Sequence, residues 1–74
     1  MAKQFYPGIM GKVVSNEPLN VRTKVSKGKY EIVKGDQLKR GTVVKLLAYE
    51  DHRYKIDYKG KDGYIYDEFV ELLD

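Results

Sequence analysis

The chain has 74 residues, of which 42% are hydrophobic and 34% charged, with a net charge of +3. That length makes one small domain that hides only about 60% of the surface its unfolded form exposes, so packing has to supply its stability. There is no cysteine and only one histidine, His52, which excludes a disulfide framework and a thiolate or multi-histidine metal site.

The opening "MAKQFYPGIM" is interrupted by Gln4, Pro7 and Gly8, so no export-signal core forms there and no run is long enough to span a bilayer. Residues 1–10 read as an N-terminal extension and residues 11–74 as the domain. The expected compartment is the cytoplasm if the chain is complete, and the envelope or exterior if it is a fragment of an exported protein. From Gly11 onward, short alternating runs broken by turn residues every eight to twelve positions predict antiparallel strands rather than helices. "GKVVS" and "LNVRT" flank Pro18, which bends the chain between them; Leu19 and Val21 share one face, with Asn20 and Arg22 on the other. Ser26 to Leu38 is polar, glycine-bearing and poorly periodic, and reads as a long ordered loop, with short paired arms as an alternative. In "GTVVKLLAYE" the β-branched run places Val44, Leu46 and Ala48 on one face. After the polar turn "EDHR", "RYKIDY" puts Tyr54, Ile56 and Tyr58 on one side. "KGKDG" signals a hairpin, with Lys61 and Asp62 between its glycines, before the last strand "YIY". Asp67 to Phe69 has room for one tight helical turn. The expected fold is therefore all-β: a small five-stranded barrel with a long loop and one short 3-10 turn near the C-terminus, since closure hides strand edges.

Charge is segregated along the chain. Residues 1–45 hold ten Lys/Arg against three carboxylates, and residues 46–74 hold four against eight. In a compact domain the two halves interleave and neutralise each other, so nucleic acid ranks last among the partners considered.

"LNVR" at Leu19 to Arg22, "LKRGTVVKLL" at Leu38 to Leu47 and "RYKIDYKGKDGYIYDEFVEL" at Arg53 to Leu72 resemble, in that order, the bacterial SH3 domain. The resemblance implies an SH3-like barrel serving as a non-catalytic binding module, often attached to cell-wall hydrolases or other envelope proteins. The chain departs from the family pattern after "LNVR", where Thr23, Lys24 and Val25 stand in place of the common serine, glycine and proline, and at Arg53, where an aromatic is common. "GYIYDEFVEL" is also similar to the closing motif of eukaryotic SH3 domains, which implies that Ile65 faces the core and that Tyr64, Tyr66 and Phe69 lie where groove residues lie. With Arg53 in place of an indole and Tyr66 in place of a proline, recognition of PxxP peptides is not expected.

Seven tyrosines in so short a chain supply flat apolar surface with polar tips, suited to interfaces. Tyr54 and Tyr58 share the Ile56 face and read as structural. Tyr64 and Tyr66 alternate against Ile65 and are expected to be partly exposed, so they are candidate ligand contacts with Phe69 and Arg53, edged by Tyr30. The competing structural role for Arg53 is an ion pair with Asp67 or Glu68, and for Arg22 a salt bridge or a hydrogen bond bracing the loop. An enzyme is not expected: Ser15 and Ser26 are the only serines, and His52 has no evident triad partner. No carboxylate spacing matches a metal loop and no glycine-rich phosphate motif occurs, so neither metal nor cofactor is expected. The leading reading is a module for a peptide or cell-wall polymer such as peptidoglycan. A protein–protein assembly module of a phage or mobile-element product is the alternative, and a nucleic-acid-binding barrel comes after both.

Overall fold

The computed structural model describes residues 4–73. It is all-β, with strands β1 (Met10–Val13), β2 (Leu19–Ser26), β3 (Lys29–Leu38), β4 (Val43–Lys45), β5 (Ala48–Glu50), β6 (Arg53–Tyr58), β7 (Lys61–Tyr66) and β8 (Val70–Leu72). A 3-10 turn over Asp67–Phe69 separates β7 from β8, as expected from the sequence. The strands form two antiparallel sheets, β4-β1-β8 and β3-β2-β7-β6-β5, and among the described residues no ladder joins one sheet to the other. No helix among them is long and apolar enough to cross a membrane.

The expectation of five strands is corrected to eight, for two physical reasons. The run from Val43 to Glu50 bends at Leu46–Leu47, so β4 stays in the small sheet and β5 joins the large one. Leu46 is fully buried at this corner and donates its N–H to Ile9 O at 2.8 Å, while Leu47 donates to Lys55 O at 2.8 Å. The expected loop from Ser26 to Leu38 is mostly strand: β3 pairs with β2 from Ser26↔Lys29 to Leu19↔Leu38, with its register shifted between Asn20 and Arg22 and again between Lys24 and Ser26. β3 lies at the edge of its sheet and is exposed on both faces along most of its length. Burial therefore demands no period-two pattern there, which is why the sequence hides the strand.

Two hairpins close with residue pairs at positive φ, Asp51–His52 (51° and 59°) and Lys59–Gly60 (52° and 83°), the geometry of tight turns whose twist matches the flanking strands. The second turn sits earlier than "KGKDG" suggested: Tyr58 pairs with Lys61, so Lys61 and Asp62 already belong to β7.

The core lies between the sheets and collects Ile9, Val13, Leu19, Val21, Leu38, Leu46, Tyr54, Ile56, Tyr58, Ile65 and Val70. The inward set read from alternation in β2, β6 and β7 is all present. The segment expected as an extension contributes Ile9 to this core and Met10 to β1. Gly63 packs tightly against side chains of β2 and β6: a Cβ built there would stand 2.5 Å from Val21 Cγ1 and 3.1 Å from Tyr58 Cβ. Only hydrogen fits in that space.

β2 and β7 pair at a single position, Arg22↔Tyr64. Among the described residues the ladder between them extends to neither side of this bridge. The two clefts described below are lined by β2 residues on either side of this bridge.

Candidate functional site

Residues whose side chains leave the core alternate onto the outer face of the large sheet, and cross-strand pairing brings Arg22, Lys24, Tyr30, Arg53, Lys55, Tyr64 and Tyr66 into one neighbourhood. The Arg53 guanidinium lies between two rings, 4.2 Å from the Tyr30 centroid and 4.5 Å from that of Tyr66; the Arg22 guanidinium stands 5.0 Å from the same Tyr66 ring. Tyr64 meets the far side of this column, its ring 5.1 Å from that of Tyr30. Cation and ring alternate, an arrangement stabilised electrostatically at each contact and one that limits rotation of every planar group in it.

The ends of the column are tied by hydrogen bonds. Arg53 donates through Nη1 to Asp51 O at 2.8 Å and through Nη2 to the Tyr66 hydroxyl at 2.9 Å, while its buried Nε has no partner among the described residues. The Tyr30 hydroxyl stands 2.6 Å from Glu50 Oε2 and 2.7 Å from Asp51 Oδ2, so its one proton is shared between two carboxylates. Burial, reinforced by these two acceptors, pushes the Tyr30 phenol well above the usual tyrosine value. Glu50 also accepts from Lys24 Nζ; that bond, followed by the one from Tyr30, holds its carboxyl below the usual glutamate range.

The five residues singled out from the sequence are therefore only partly one site. Tyr30, Arg53 and Tyr66 stack together. Phe69, half-buried against the core, meets Tyr66 across a cleft of ≈180 Å³ walled also by Pro18, Leu19, Asn20 and Arg22. The exposure expected for Tyr64 is corrected: it is only 5% exposed. It does stand opposite Ile65 and outside the core cluster, as alternation requires, but Tyr30 on the neighbouring hairpin covers it. Arg53 does not pair with Asp67 or Glu68. Asp67 instead accepts from the Tyr49 hydroxyl at 2.7 Å, a bond that, with burial, pushes the Tyr49 phenol up to about 12. Arg22, expected to brace a loop, lies on Tyr66 and walls the cleft. The outward alternation of "LNVR" carried that signal, since it put Asn20 and Arg22 on one face; the role of Pro18 and Leu19 in the wall had none.

The cleft offers two aromatic walls, the Arg22 guanidinium as donor to a carbonyl or carboxylate, the Asn20 amide and the Glu17 carboxylate. Its size falls below the range of about 300–1,000 Å³ typical of pockets for small molecules. No family model matches this chain, and no curated protein matches it either.

Proposed function

We propose that the two sheets make up an SH3-like barrel and that the chain is a non-catalytic binding module, which takes a peptide or cell-wall component into the cleft between Tyr66 and Phe69. The observation that carries this reading is the Tyr30–Arg53–Tyr66–Arg22 column. It holds the Tyr66 ring in place as a wall before any ligand arrives, so little side-chain entropy is lost on binding. A backbone with small side chains lies flat against such rings while Arg22 meets a carbonyl or carboxylate. The ordered resemblance of "LNVR", "LKRGTVVKLL" and the C-terminal run to bacterial SH3 domains supports the barrel and the choice of a wall polymer as ligand; fold-level analogy alone names no ligand. A shallow cleft gives modest affinity, and a repeating polymer or a second domain supplies avidity. Tyr30, Arg53 and Tyr64 act here through Tyr66, as supports rather than contacts.

The test is co-sedimentation with purified peptidoglycan. The parent chain is expected in the pellet, and Tyr66→Ala and Phe69→Ala, each checked for retained fold by circular dichroism, in the supernatant. Equal retention of both variants contradicts the assignment of the cleft. Absence of the parent from the pellet moves the reading to a protein partner.

A further inference from the structure

A second and larger cleft lies on the far side of the Arg22↔Tyr64 bridge from the one between Tyr66 and Phe69. Its volume is ≈390 Å³, and its walls include Thr23, Lys24, Val25, Lys27, Asp62 and Tyr64. β2 runs on as a strand to Ser26, held by β3 through Thr23↔Glu31, Lys24↔Tyr30 and Ser26↔Lys29, whereas its pairing with β7 ends at Arg22. One edge of Thr23–Ser26 is thus held by β3 at Thr23, Lys24 and Ser26, with a register shift at Val25, while the other faces the cleft with no ladder partner among the described residues. Such an edge is a preformed template for one more strand.

The charge of the walls narrows the occupant. Lys24 and Lys27 both line this cleft, and Lys29 follows directly beyond the turn. The ion pairs among the described residues engage Lys24 with Glu50 and Asp62 with Lys55, so both of these wall residues are already offset, and Lys27 takes part in none of them. Val25, 47% exposed, adds an apolar contact between the two lysines of the wall.

We propose that this cleft is a second binding site, distinct from the one between Tyr66 and Phe69, and that it takes an extended acidic peptide which adds as a strand along Thr23–Ser26. The backbone supplies the affinity, and Lys27, which stands outside the ion pairs that hold Lys24 and Asp62, selects a carboxylate side chain on the added strand. The two clefts lie on opposite sides of one bridge and use different stretches of β2, so occupation of one leaves the other open.

The test uses the full chain, labelled with nitrogen-15, and a blocked hexapeptide alternating glutamate and valine, with its lysine–valine counterpart as control. The acidic peptide is expected to shift the amides of Thr23 to Lys27, Asp62 and Tyr64 and to slow hydrogen exchange within Thr23–Ser26. Lys27→Glu, an exposed turn substitution that leaves the fold intact, is expected to weaken binding about fivefold, the scale of one surface charge contact. Four outcomes overturn the proposal: shifts without any gain in exchange protection, which mean ionic association only; shifts at Tyr66 and Phe69 instead; equal binding of the lysine peptide; or no shifts at millimolar peptide. Shifts of the same amides on raising protein concentration without peptide overturn it as well, because a second copy of the chain then fills the cleft.

Discussion

Gly63→Ala is the substitution that probes the packing of β7 against β2 most sharply. The glycine is not among those at positive φ, so alanine meets no backbone penalty and the cost is steric. The new methyl would stand 2.5 Å from Val21 Cγ1 and 3.1 Å from Tyr58 Cβ, about 1 Å inside normal carbon–carbon contact for the first. Val21 is 2% exposed and stiff at χ1, and the Tyr58 Cβ is fixed by its own backbone, so neither moves without shifting a strand. Overpacking of this kind costs about 1–3 kcal/mol, against a total stability of about 4–11 kcal/mol for a chain this long. At about 2 kcal/mol the melting temperature falls by roughly 8–16 °C. Urea denaturation followed by circular dichroism measures the loss. Val21→Ala removes the clashing methyl; alone it costs about 2 kcal/mol as a cavity. The double variant is expected to lose at least about 1 kcal/mol less than the sum of the two single variants, since the pair is in contact. An unchanged urea midpoint for Gly63→Ala, or strict additivity in the double variant, refutes the close packing at Gly63.

Three further outcomes follow from the same geometry. Ile65→Asp buries an unpaired charge and is expected to unfold the domain, seen as collapse of amide shift dispersion, while Tyr64→Ala removes a ring buried under Tyr30 and costs about 3 kcal/mol in urea denaturation. Glu50 is held below its ordinary value of 4.5, first by Lys24 and then by Tyr30, so its contribution to stability is fully present above that value and fades as pH falls through the lower folded value; Glu50→Gln is expected to flatten the acid limb of a plot of urea midpoint against pH, and an unaltered limb removes Glu50 from the account. Fluorescence anisotropy with labelled single- and double-stranded oligonucleotides is expected to give only weak, salt-sensitive binding, because lysines on the outer face are matched by Glu50 and Asp62; submicromolar affinity at physiological salt contradicts this.

What the sequence made legible was local. Tyr54, Ile56 and Tyr58, and Leu19 with Val21, declared the inward faces because each run is short, alternating and buried on one side. β3 was illegible for the converse reason, since an edge strand exposed on both faces has no alternation to enforce. The burial of Tyr64 depends on Tyr30 in another hairpin, 34 positions away in the chain, and no periodic pattern encodes such a contact. The partner of Arg53 was misread because Asp67 is taken by Tyr49, a competition decided only when the β5–β6 turn is folded. Stacking between Tyr30 and Tyr66 then claims the guanidinium that the sequence had left between a structural and a ligand role.

The measurement that bears most directly on the central claim is a chemical-shift titration of the labelled chain with soluble peptidoglycan fragments, including free bridge peptides. The account predicts saturable shifts at Leu19, Asn20, Arg22, Tyr66 and Phe69, abolished by Tyr66→Ala and retained, though at lower stability, in Tyr64→Ala. Shifts that spare those residues, or that survive Tyr66→Ala, would contradict it.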